Sequence, residues 1–117
     1  MQPQVRALDL ACARLAQQAV SYTFDIPVED IARATRGSAR AALGRQIAIY
    51  LTHVAFELSL ARTAEAFDRD RSTAAHACHR IEDRRDDPVF DRCLDELEAC
   101  LRSLPGPGRD QKKDLAA

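Results

Sequence analysis

The sequence predicts an all-α fold of about six helices built around a central helix-turn-helix. Three observations carry that expectation. Alanine is abundant and aromatics make up only 5% of the 117 residues, while β-branched residues rarely cluster, so helix is favoured over strand. Apolar residues recur at three- and four-residue spacing along most of the chain. Finally, cap and proline signals such as Asp25-Ile26-Pro27 and Asp87-Pro88 stand where the stripes begin.

The first helix is expected from Pro3 to Tyr22, with Val5, Leu8, Cys12, Leu15, Ala19 and Tyr22 as its apolar stripe. A short helix from Val28 to Ala34 follows Pro27, with Glu29 and Asp30 near the positive end of its dipole. Gly37 is suited to ending it in a left-handed conformation. Ser38 to Ala42 reads as an arginine-bearing loop or helix start. A long helix from Leu43 to Glu57 then buries Ile47, Tyr50, Leu51 and Val54, with Leu58 beyond it, and Gly44 weakens its first turn by up to ~1 kcal/mol relative to alanine. Ser59 caps a helix from Leu60 to Phe67 whose Leu60, Ala64 and Phe67 face inward. Asp68-Arg69 turns the chain, and Asp70 caps a helix running to Asp86 with Ala74, Ala77, Cys78 and Ile81 buried. The last helix starts at Pro88 and buries Phe90, Leu94, Leu97, Leu101 and Leu104. Residues 1–104 thus form one helical domain, and 105–117, opening Pro-Gly-Pro-Gly, are expected to be a disordered tail.

The net charge of −1 argues against a general nucleic-acid coat, but the charge is unevenly spread. No acid occurs from Ile31 to Phe56, where Arg33, Arg36, Arg40 and Arg45 stand, whereas acids dominate from Glu82 to Glu98. One basic face is enough to bind DNA. No apolar run is long enough to span a bilayer, and MQPQVRALDL lacks the layout of a signal peptide, so the expected location is the cytoplasm. Cys12, Cys78, Cys93 and Cys100 fit reduced thiols there. Cys93 and Cys100, two turns apart on one helix, are ~10 Å apart and too distant for a disulfide.

The helix after Asp70 carries the chemistry. Opposite its apolar stripe stand Arg71, Ser72, Thr73, His76 and Arg80, a mixture suited to base edges and phosphates. A short helix, a tight turn and a longer helix match helix-turn-helix spacing, although small bundles contain such units without binding DNA. His76, Cys78 and His79 crowd one turn, but residues two apart point to different faces, and neither H-E-x-x-H nor C-x-x-C occurs. No metal or cofactor is expected. Ser72 or Cys78 as a nucleophile would need a base and an orienting acid; His76 lies one helical turn from Ser72, within reach, but no oxyanion loop is visible, so no enzyme is expected either.

Several blocks resemble a known family at consistent spacing. They are Val28-Glu29-Asp30-Ile31, Gly44-Arg45-Gln46-Ile47-Ala48-Ile49-Tyr50-Leu51, Leu58-Ser59-Leu60, Ala66-Phe67, Arg69-Asp70-Arg71-Ser72-Thr73-Ala74-Ala75-His76-Ala77 and Arg80-Ile81-Glu82. From residue 20 to residue 104 the chain resembles the C-terminal DNA-binding domain (domain IV) of the bacterial replication initiator DnaA. In that family a helix-turn-helix reads the initiator box in the major groove and a basic loop enters the minor groove. The resemblance implies base reading by Asp70, Arg71, Ser72 and Thr73, assisted by His76. It implies phosphate or minor-groove contacts for Arg36, Arg40, Arg45, His53, Ser59 and Leu60. Arg71 and Ser72 stand where the family usually has histidine followed by threonine, Asp68 where it has two glycines, and His53 where it often has lysine. The phosphate-loop motif of the family's ATPase is absent, so the chain is expected to be a small stand-alone relative.

The expected function is sequence-specific binding of double-stranded DNA at initiator-box-like sites, regulating replication initiation or transcription, with the protein nucleoid-associated when bound. The competing expectation is a protein-interaction module that regulates the initiator cycle through control proteins, with the acidic last helix as its contact surface. No membrane partner is expected, and the sequence leaves oligomeric state open.

Overall fold

The computed structural model of the chain describes residues 3–33 and 38–104. Six α-helices and no strand occur among them: α1 (Pro3–Phe24), α2 (Val28–Ala32), α3 (Ala39–Ala55), α4 (Leu60–Ala66), α5 (Arg71–Arg84) and α6 (Pro88–Ser103). Arg36, the Gly37 helix stop and the tail 105–117 lie outside the described residues.

α3 is the axis of the bundle and packs on each of the other five helices. It can do so because it is apolar nearly all round, with Ile47, Ala48, Ile49, Tyr50, Leu51 and Ala55 all buried. Gly44 has a positive use in this packing. A Cβ there would lie 2.9 Å from Ile26 Cδ1 and 3.5 Å from Ile31 Cγ1, so the missing side chain lets α3 approach the α1–α2 corner. α4 and α5 then pack against each other and against α3, while α6 closes the far side with Leu94, Leu97 and Leu101.

The expected helix ends shift for identifiable reasons. α3 begins at Ala39 rather than Leu43, because the Ser38 hydroxyl accepts the Ala41 N–H at 3.0 Å and caps the arginine-bearing stretch as helix. It ends at Ala55, with Glu57 left-handed at φ 58°. α1 continues to Phe24, where Asp25 at φ 55° and an Ile26 N–H to Ser21 C=O bond of 3.2 Å close it. α2 and α5 each stop two residues earlier than expected.

The stripe expected on α1 needs correction. Tyr22 is 92% exposed, and the buried positions are Cys12, Ala13, Ala16 and Val20. Asp9 is also buried, 3% exposed, because Arg62 of α4 forks onto it at 2.9 and 2.6 Å. That bidentate pair fastens α1 to the helix-turn-helix.

The acidic face of α6 is also partly internal. Arg85, following α5, donates to Asp91, Asp95 and Glu98 of α6 and to the Tyr50 hydroxyl of α3 at 3.0 Å. Burial alone would lower the Arg85 pKa, but these hydrogen bonds outweigh it and raise it. Half-buried among its partners, Arg85 neutralises carboxylates that the sequence leaves facing solvent.

Candidate nucleic-acid interface

The turn between α4 and α5 is set by backbone bonds. The Asp68 N–H donates to the Glu65 carbonyl at 3.1 Å and the Arg69 N–H to the Ala64 carbonyl at 2.9 Å, with Asp68 left-handed at φ 55°. This is a Schellman stop, with aspartate where glycine is usual. Asp70 then opens α5. One carboxylate oxygen accepts both the Thr73 N–H and the Ser72 hydroxyl at 2.9 Å. Hydrogen bonds from Thr73, then Ser72, hold its carboxyl below the usual aspartate range. The other oxygen remains available to a donor such as cytosine N4.

α5 separates its two faces cleanly. Ala74, Ala77, Cys78 and Ile81 are buried against the bundle, whereas Arg71, Ser72, Thr73, His76, His79 and Arg80 are exposed. Burial, and then the Glu82 charge, push the Cys78 thiol up to about 11, so it serves as a small apolar core residue. Among the described residues no group of three or more His, Cys, Asp or Glu is placed to hold a metal ion.

Arg45 of α3 lies beside this exposed face. Together with Gln46 and Arg69 it lines a cleft of about 120 Å³ whose opposite wall is Thr73 and His76. Its guanidinium also works internally: Nε donates to the Ile31 carbonyl at 3.0 Å and Nη2 to the Asp30 carbonyl at 3.1 Å. Burial, followed by the charge of Arg69, lowers its pKa. Arg69 reaches the same segment, donating to the Arg33 carbonyl at 2.9 Å. Arg40 donates to the Phe24 carbonyl at the end of α1. The arginines expected at phosphate therefore also tie down the carbonyl ends of α1 and α2.

The remaining expected residues gather at the α3–α4 corner. His53 Nδ1–H donates to the Leu58 carbonyl at 2.6 Å, leaving Nε2 outside that bond. Ser59 caps α4 by accepting the Arg62 N–H at 3.2 Å, and Leu60 is half-buried behind it. Neither these three residues nor the first-turn residues Arg71 and Ser72 line the cleft. Sequence reasoning overlooked Gln46 and Arg69 as its walls. For Gln46 the signal was the acid-free run from Ile31 to Phe56, whose polar members must emerge on some face of α3; Arg69, in the turn before Asp70, lies outside that run.

A family model described as the bacterial dnaA protein helix-turn-helix matches residues 14–81. Among curated proteins, the chromosomal replication initiator protein DnaA of Symbiobacterium thermophilum is 34% identical over 103 residues, covering 86% of this chain and 22% of that protein. The DnaA proteins of a Thermoanaerobacter species and of Thermoanaerobacter pseudethanolicus are each 33% identical over 90 residues, covering 76% of this chain and 20% of theirs. The chain spans about a fifth of the length of these relatives. No solved structure matches it.

Proposed function

This chain belongs to the bacterial DnaA helix-turn-helix family, and from that premise we propose that it binds double-stranded DNA sequence-specifically through α5. Asp70, Arg71, Ser72, Thr73 and His76 read base edges in the major groove. Arginine forks onto guanine, a carboxylate accepts from cytosine N4, and the threonine methyl meets thymine. Arg45 holds a phosphate beside them through N–H groups not used on α2, Arg40 and Arg36 serve the backbone and minor groove, and His53, Ser59 and Leu60 meet the backbone. The binding acts in replication initiation or transcription control at initiator-box-like sites.

One observation carries this reading. The exposed face of α5 lies beside a cleft walled by Arg45 and Arg69, and no carboxylate lines that cleft. Selection of bound duplexes from a random pool, followed by a salt titration on the winner, tests the proposal. The expected result is an enriched motif and an affinity that falls steeply with salt. A pool that stays random, or binding indifferent to salt, overturns it.

A further inference from the structure

Beyond the reading end of α5, a second and more open groove of about 480 Å³ runs between the start of α3 and the later turns of α5. It combines apolar lining from Ala39, Ala42 and Leu43 with the cations Arg40, Arg80 and Arg84, and no carboxylate lines it. Arg84 also rests on the Phe90 ring at 5.4 Å, so the groove ends where the α5–α6 corner begins. That corner has the opposite character. Asp83, Asp86 and Asp87 are exposed there, and beside them Val89 is 73% exposed, a large apolar side chain left in solvent. An apolar knob flanked by acids thus adjoins a partly apolar groove flanked by arginines.

We propose that this patch pairs two copies of the chain about a two-fold axis. Val89 of each copy enters the groove of the other, and Asp83 and Asp86 of each meet the other's Arg80 and Arg84. A surface carrying both halves of a complementary pair is what an isologous interface requires, because every contact is then made twice. Burial of Val89 against Ala42 and Leu43 supplies attraction, and the charges fix register and partner. The other occupant of a cationic groove is a nucleic-acid backbone, and two features disfavour it. Phosphate gains nothing from the Ala42 and Leu43 lining, and a backbone passing Arg84 runs into the carboxylates of the corner. A second copy turns those same carboxylates into partners. The 14 residues of α5 span ~21 Å, so pairing at the far end of this helix leaves its first turn free. The inference does not depend on the DNA-binding reading above.

Sedimentation velocity over a range of protein and salt concentrations tests the pairing. The proteins are wild type, Arg80→Glu/Arg84→Glu, Asp83→Arg/Asp86→Arg and Val89→Ser. Asp87 is left in place because its carboxylate accepts the Val89 N–H at 3.1 Å and caps α6, and thermal melts check that each variant is folded. Wild type is expected to approach a dimer as concentration rises, and less so at high salt. Each charge-reversed chain is expected to stay monomeric alone, while the two mixed together form a dimer, since their reversed patches are opposite in sign. Val89→Ser removes an exposed side chain without touching the core and is expected to weaken the dimer several-fold. Wild type that stays monomeric throughout overturns the proposal. So does a mixture of folded charge-reversed chains that stays monomeric, or a Val89→Ser protein that pairs as tightly as wild type. A monomeric wild type whose Arg80→Glu/Arg84→Glu variant loses affinity for duplex DNA assigns the groove to nucleic acid instead.

Discussion

At Asp68 a left-handed backbone is forced on a residue with a Cβ, and the Schellman bonds of Arg69 and Asp68 leave the chain no alternative path into α5. Glycine at that position removes the steric cost, so Asp68→Gly is expected to stabilise the protein by about 0.5–1 kcal/mol in urea unfolding. A second residue-level opportunity is Thr63 in α4. It is fully buried, and its hydroxyl has no partner in the structure. Thr63→Val keeps the volume and removes the unpaired group, with an expected gain of about 1 kcal/mol by thermal denaturation. The same scale shows a second role that the sequence did not reveal. Arg45 reads as a phosphate anchor, yet it also closes α2, so Arg45→Ala is expected to lower stability along with affinity for every duplex.

The elements were legible wherever a cap and an apolar stripe agreed. α6 begins at Pro88 after Asp87 and buries Leu94, Leu97 and Leu101 as its spacing demands, and the four buried positions of α5 are those its stripe names. Legibility failed where a residue's neighbour came from afar. Nothing local marks Asp9 as buried, because its partner Arg62 is 53 residues away, and nothing local tells Ala19 and Tyr22 from Ala16 and Val20. The α5–α6 junction depends on such a distant set, centred on Arg85. Its carboxylate partners are partly exposed and stay hydrated once it is removed, so Arg85→Ala is expected to cost about 1–3 kcal/mol in denaturant unfolding. The start of α5 depends on pH. Asp70 has a carboxyl pKa lowered in the folded state, so its contribution is present above the unfolded value and lost as pH falls through the folded one. Asp70→Asn should flatten the stability profile below about pH 4, measured by thermal melts across that range.

At the scale of the whole molecule, the near-neutral chain is a dipolar one. Arg85 absorbs part of the acidic end, while the α3–α5 seam gathers arginines without carboxylates. Composition shows the charge asymmetry, but only the fold brings Arg45, Arg69, Thr73 and His76 to one cleft, and Arg40, Arg80 and Arg84 to the next. The central claim is that the first turn of α5 chooses the bases. Arg71, standing where the family usually has histidine, is the residue on which that claim turns. The most direct measurement is a titration of wild type and Arg71→Ala on the selected duplex and on its single-base variants. Loss of about 1–3 kcal/mol on the selected site, roughly five- to 150-fold, with discrimination flattened at one base position, is the predicted result. Unchanged affinity and unchanged discrimination would contradict it.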